Sequence, residues 1–278
     1  MLKKCLAKIP GARGLRLKLL TSSLRAAARQ QGLDALSEKL TAIVPDVSDQ
    51  YTHTPIDSPY VLQKVRNQHA FQISLVNDVI DQFDNPVIVD IGDSCGTHLK
   101  YINALYPDKN VKSLSVNLEQ AAIDRIKAQG LEAIRSRAEE LEDYNIKTDI
   151  FLCFETVEHM MDPCRFLKDL SYKTDAKYLV ITVPYVAVTR TGLRYVRGSK
   201  PGKAYAENTH IFELCPEDLK LLARHSGWDV HGERIYRQYP RWSWLRITRR
   251  DWKSFDFEGF YGLILKRDHA WSDRYVDW

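Results

Sequence analysis

The sequence has few cysteines, and they form no pattern. Cys5, Cys95, Cys153, Cys164 and Cys215 are scattered and odd in number, with no Cys-X-X-Cys pair, which excludes a disulfide framework and a structural zinc site. Such usage points to a reducing compartment, so the expected location is the cytoplasm. Long apolar runs are also lacking. None approaches the ~20 residues that a membrane span needs, leaving a soluble chain or one peripheral at a membrane. No internal repeat or low-complexity tract is present, and no RNA-binding motif accompanies the charge, so nucleic acid is not the expected partner. What is present is 278 residues, 44% of them hydrophobic, enough to bury one sizeable core with additions.

Charge is uneven along the chain. Residues 1–40 hold nine basic side chains (Lys3, Lys4, Lys8, Arg13, Arg16, Lys18, Arg25, Arg29 and Lys39) against Asp34 and Glu38. Leu15, Leu17, Leu19, Leu20, Leu24, Ala27 and Ala28 run among them, a mixture that suits an amphipathic helix on anionic lipid, a face packed on the domain, or a targeting peptide. Ser, Thr, Pro and Asp between Asp46 and Pro59 read as a loop. We therefore expect a basic helical extension and linker over 1–59 and the main domain over 60–278. Val61, Val65, Ile73, Val76 and Ile80 predict a long helix entering that domain, with Tyr51, His53 and Tyr60 as lid residues or ordinary surface aromatics.

The densest signal is Val87-Ile-Val-Asp-Ile-Gly-Asp-Ser-Cys-Gly-Thr97, an apolar block followed by small residues. It predicts a buried parallel strand, a tight turn and a helix. Ligands in open α/β sheets bind beyond the carboxyl ends of strands, so Asp90 is expected to face a ligand, with Gly92, Ser94 and Gly96 letting backbone approach it. A dinucleotide turn would require glycine at Ser94 and Thr97 as well. Val111 to Val116 predicts the next strand, ending at Asn117, 21 residues past Gly96, where nucleotide-binding folds place an acidic ribose ligand. Glu119 either replaces that ligand or favours the start of the next helix.

The motif turn resembles motif I of the class I S-adenosylmethionine (SAM) methyltransferases, D-x-G-x-G-x-G, with Ser94 for the middle glycine. Thr148 to Leu167, with Glu155-x-x-Glu158-His159 and then Asp162-Pro163 opening a helix, is similar to the fourth-strand block of the branch that includes the ubiquinone-biosynthesis O-methyltransferases. Lys177 to Pro184 reads as a fifth strand, and His210 to Trp228 is similar to that branch's H-x-x-x-h-x-P-E-x-L…G-F/W segment. The resemblance covers about Phe83 to Trp228. It implies a Rossmann-like, doubly wound, seven-stranded α/β sheet and SAM as cofactor, bound by Asp90, Gly92, Asp93, Ser94, Cys95, Gly96, Asn117, Leu118, Arg137, Ala138, Phe154 and Glu155. Two positions depart from the family. Asn117 replaces the ribose carboxylate, and Arg137 replaces an aspartate that contacts adenine, leaving that task to backbone near Ala138, to Glu139 or to stacking.

The expected reaction is direct displacement of the methyl group from SAM by a hydroxyl. His159 and His210 are the candidate bases, or structural links. Glu155, Glu158 and His159 match a metal triplet of the ubiquinone O-methyltransferases, but the reading assigns no metal. Substrate-shaping insertions are expected at 185–209, with Arg190, Arg194, Arg197, Lys200 and Lys203, and at 236–258, where Tyr236, Tyr239, Trp242, Trp244, Trp252 and Phe255 alternate with arginines. These suit an anionic small-molecule or glycan acceptor, or a homodimer interface. The favoured acceptor is a sugar hydroxyl on a surface glycan or its lipid- or nucleotide-linked precursor. A free quinone-type metabolite and a non-catalytic partner-binding module are the alternatives.

Overall fold

A computed structural model describes residues 12–51, 55–138, 140–141, 147–191, 209–255 and 257–276. His53, Glu139, Arg194, Arg197, Lys200, Lys203, the first eleven residues and the Phe255 side chain lie outside that description.

Apolar blocks become a sheet covered on both faces. Strands β1 (Val87–Ile91), β2 (Lys112–Asn117), β3 (Glu132–Arg135), β4 (Ile150–Phe154) and β5 (Tyr178–Pro184) are mutually parallel, and β6 (Arg190–Thr191) pairs with β7 (Phe212–Glu213) as a separate ribbon. Strand β8 (Trp228–Arg237) and the antiparallel β9 (Gly259–Arg267) complete the main sheet in the order β3-β2-β1-β4-β5-β9-β8. This is the seven-stranded Rossmann-like sheet that the motifs imply.

Alternation with period two divides the strand residues between two cores. Ile88, Ile150, Leu152 and Val180 join one with helix α3 (Pro59–Ile80) and α4 (Thr97–Leu105), while Val89, Phe151, Cys153, Leu179 and Ile181 join the other with α6 (Pro163–Lys173) and α7 (Pro216–His225). Local chemistry sets the helix starts. Ser58 accepts from Val61 N ahead of Pro59, and Asp162 accepts from Arg165 N at 3.0 Å ahead of Pro163. Helix α5 (Gln120–Ala128) bridges β2 and β3.

The described part of the basic extension is built into the domain. Helix α1 (Ala12–Gln30) buries Leu20 and Leu24 against Tyr239 and Trp252, and α2 (Asp34–Ile43) adds Leu40 to the larger core. Ser23 Oγ lies 2.8 Å from Thr248 Oγ1, and Asn67 donates to Leu24 O. The packed reading of this segment therefore holds over 12–43. Tyr60 stacks on Trp252. Within the aromatic–arginine segment, which includes α8 (Arg249–Phe255), Tyr236, Tyr239 and Trp252 are core residues, whereas Trp242 and Trp244 are exposed.

Candidate functional site

The motif turn sits at the carboxyl end of β1 with its two glycines in left-handed backbone, Gly92 at φ +97° and Gly96 at φ +71°. Gly92 is exposed, so its backbone faces the mouth, and a Cβ there would lie 2.5 Å from Thr156 Oγ1. Thr156 Oγ1 in turn donates to Ile91 O and Phe154 O, binding the ends of β1 and β4 together. Gly96 is closely packed. A side chain there would meet Leu131 at 2.7 Å and then Ile126, so the start of α4 has no room for a Cβ at this position.

Both aspartates of the motif turn inward and are engaged within the protein. Asp90 is fully buried, with Oδ2 3.0 Å from His98 Nδ1 and Oδ1 unpartnered. Burial raises its pKa to about 6, against the pull of His98. Asp93 accepts from the backbone N–H groups of Cys95 and His98 and from Gln50, so it caps the turn. His98 then reaches Gln72 Oε1 through Nε2 at 3.1 Å, and Gln72 donates to Thr182 Oγ1 at the end of β5. Burial disfavours the charged His98 ring, but Asp93 and Asp90 outweigh it and raise its pKa. His69, beside it, is buried and pushed well below the usual histidine range by desolvation and by His98 and Arg66.

This chain of buried polar groups was missed in the sequence. Its signal was the run Arg66-Asn-Gln-His69 plus Gln72, all buried, inside a helix otherwise read from its apolar positions.

At the β2 end, Asn117 is committed locally. Its Oδ1 accepts from Glu119 N at 3.0 Å and its Nδ2 approaches Asp93 O at 3.4 Å, so the amide steadies the two loops. Glu119 occupies the N-cap position of α5. Leu118 is exposed and presents an apolar side chain to the rim. Arg137 is half-exposed and points to Glu140 at 3.8 Å, with Ala138 half-buried beside it. Ser94 accepts from Arg125 through its carbonyl, and Cys95 is half-buried. Phe154 packs edge-on against His98 behind the turn.

The β4 end brings the candidate bases together. Glu155 adopts φ +50°, uncommon for a residue with a side chain, and redirects the chain into the turn Val157–His159. His159 and His210 meet edge to face at 4.8 Å, with Phe257 stacked on His210. His159 Nδ1 lies 2.9 Å from Thr209 O, a contact that needs the proton on Nδ1 and leaves Nε2 as the acceptor. His210 Nδ1 lies 3.1 Å from Glu213 Oε1, and Arg190 pairs with the other oxygen. That hydrogen-bonded setting lowers the Glu213 pKa despite burial. Glu158 is buried with neither carboxylate oxygen hydrogen-bonded; desolvation, then Glu155 and Glu213, push its pKa well up.

Ligand atoms of Glu158, His159 and His210 all lie within 4.8 Å of one another, a grouping that could hold a cation. The expectation of no metal set did not anticipate His210 joining this cluster. Asp90, Asp93 and His98 are equally close, but hydrogen bonds within the turn account for them.

No protein-family model and no curated protein matches the sequence. Similarity appears in solved structures. The [4+2]-cyclase SpnF aligns at TM-score 0.54 with 12% identity, over 87% of this chain and 97% of that one. An S-adenosylmethionine dependent methyltransferase from Mesorhizobium loti aligns at TM-score 0.50 with 12% identity, over 70% and 96%. Sheet order, motif turn and these likenesses agree: the chain has the Rossmann-like fold of the class I SAM-dependent methyltransferases.

Proposed function

We propose that this protein transfers a methyl group from SAM to a hydroxyl, with a sugar hydroxyl of a surface glycan or its lipid- or nucleotide-linked precursor as acceptor. The reading is carried by the pairing of His159 and His210 beyond β4, beside a turn whose Gly92 backbone is open. The donor set suits such a cofactor: exposed backbone at Gly92 and an apolar rim at Leu118. When bound, SAM supplies an activated methyl on a sulfonium, so the protein has to align the hydroxyl and remove its proton.

His159 Nε2 is the proton acceptor in this reading, because Nδ1 is held by Thr209 O. His210 orients the partner ring, itself fixed by Glu213 and Phe257. Arg237 lies over the half-buried Tyr185 ring at 4.6 Å, a cation–aromatic pair that suits a carbohydrate. Glu158 supports a second reading. Neither of its oxygens is hydrogen-bonded, and with one of them close to both histidines the group fits a divalent cation, held by Glu158, His159 and His210, that would polarise the hydroxyl.

Titration calorimetry with S-adenosylhomocysteine tests the cofactor; failure to bind overturns the enzyme reading. Turnover is read as S-adenosylhomocysteine release with nucleotide-sugar acceptors. His159→Ala is expected to lower it by about 10²–10⁴-fold while leaving cofactor affinity within a few-fold. Activity near that of the parent removes His159 as base. Loss of activity in EDTA, restored by Mg²⁺, selects the cation reading.

A further inference from the structure

We infer that the edge formed by α1 and residues 241–250 is a docking surface for an anionic lipid bilayer. Four large apolar side chains stand out along it: Trp242 is 83% exposed, Trp244 73%, Ile247 63% and Leu15 72%. Exposed tryptophans are costly in water and suit the headgroup region, where ring and N–H meet different environments.

The surface is held firmly. Leu245 is buried between the exposed positions, Thr248 and Trp252 are buried just beyond them, and Thr248 is tied to Ser23. Gln30 Oε1 accepts from Arg241 N, and Gln30 Nε2 donates to Trp242 O, at one end of α1. Arg16 pairs with Asp251 at the other. The edge therefore follows α1 from Gln30 to Arg16, about 21 Å at 1.5 Å per residue.

Its charge matches an anionic bilayer. Residues 241–252 carry Arg241, Arg246, Arg249 and Arg250 against Asp251, and α1 has no acidic residue. Among the described residues Arg241, Arg246 and Arg250 make no ion pair, and a shallow pocket lined by Arg246, Ile247, Arg249 and Arg250 offers a seat for a headgroup phosphate. Basic residues near an anionic leaflet and apolar insertion act together, which is the combination needed for stable peripheral binding. This surface is assembled from both ends of the chain and differs from a free basic arm.

Segment 238–258 joins the end of β8 to the start of β9, beside the carboxyl end of β5. Docking would bring the carboxyl end of β5 toward the membrane. Only this corollary, delivery of a lipid-linked acceptor, rests on the methyl-transfer reading.

The test is sedimentation of the full-length protein with vesicles of phosphatidylcholine containing about 30 mol% phosphatidylglycerol, against phosphatidylcholine alone. The anionic vesicles are expected to carry the protein down at low salt, with a blue shift of tryptophan emission, and the neutral ones to leave it in solution. The double variant Trp244→Ser/Ile247→Ser should weaken partition about tenfold or more, as should Arg246→Glu/Arg250→Glu, with circular dichroism and S-adenosylhomocysteine affinity unchanged. No sedimentation, or equal sedimentation of both double variants and parent, overturns the inference. So does a concentration-dependent dimer that Trp244→Ser/Ile247→Ser dissolves without altering vesicle binding, since the face would then join two copies. Tight oligonucleotide binding with vesicle partition indifferent to the apolar pair also overturns it. Vesicle binding retained without cofactor binding would leave the docking intact and sink only the methyl-transfer reading.

Discussion

Two glycines of one motif do different work. At Gly92 the backbone is exposed, φ is +97°, and the space where a Cβ would go is filled by the Thr156 hydroxyl. At Gly96 the same space belongs to Leu131. A side chain at either glycine would be crowded, by Leu131 at Gly96 and by Thr156 at Gly92, and at Gly92 the crowding group is a single hydroxyl that a second substitution can remove. Gly92→Ala is expected to lower stability in chemical denaturation by about 1–3 kcal/mol, from backbone strain together with the clash. Adding Thr156→Ala should recover the steric part alone. A double-mutant cycle then gives a favourable coupling of about 0.5–3 kcal/mol, whereas strict additivity would mean that Thr156 does not confine the turn. The inward aspartates carry a related lesson. Position at a strand end made Asp90 look like a ligand contact, yet His98, two residues past Gly96, captures it, and nothing in the spacing announced that partner.

Among the elements, the strands were the most legible, because burial on both faces writes β4 as five consecutive buried residues and β5 as seven. The start of α6 was equally plain, since Asp162-Pro163 combines a cap acceptor with a pre-set φ. Helix α1 was not. Its arginines are visible as charge, but Leu20 and Leu24 find Tyr239 and Trp252 more than two hundred residues away, and no local pattern reveals a partner at that distance. The polar run on α3 was hidden for the same reason: periodicity locates apolar positions and says nothing of what a buried Gln72 or His69 will meet. Leu24→Ala should accordingly cost about 2–5 kcal/mol in urea unfolding, the range for a buried leucine in a well-packed site. Loss below about 0.5 kcal/mol would instead mark α1 as a detachable arm.

At the scale of the whole molecule, fold and chemistry part company. SpnF is named for a cyclisation and shares this architecture, so the reaction has to be argued from the site beyond β4 and not from the sheet. Stability, by contrast, is a property of the assembled molecule, and its pH dependence concentrates where α3, the motif turn and β5 meet. His69 has a folded pKa well below 6.5, so it contributes stability above pH 6.5 that is lost as pH falls and the buried ring must be charged. Asp90 and His98 have the opposite sign. Both pKa values are raised on folding, so His98 favours the fold increasingly as pH falls toward 6.5, and Asp90 does so as pH falls from about 6 toward the unfolded carboxyl value. The two groups partly cancel in the parent, and its own profile would hide them. Variants separate them. Relative to His69→Gln, the parent should lose stability between pH 6.5 and 5, at no more than about 1.4 kcal/mol per pH unit for one proton. Relative to Asp90→Asn, it should gain stability between pH 6 and 4. Denaturant midpoints across that range provide the measurement. Parallel curves for parent and variants would mean that these buried groups titrate alike in the folded and unfolded chain, and that the polar layer under the motif turn does not carry the charges assigned to it.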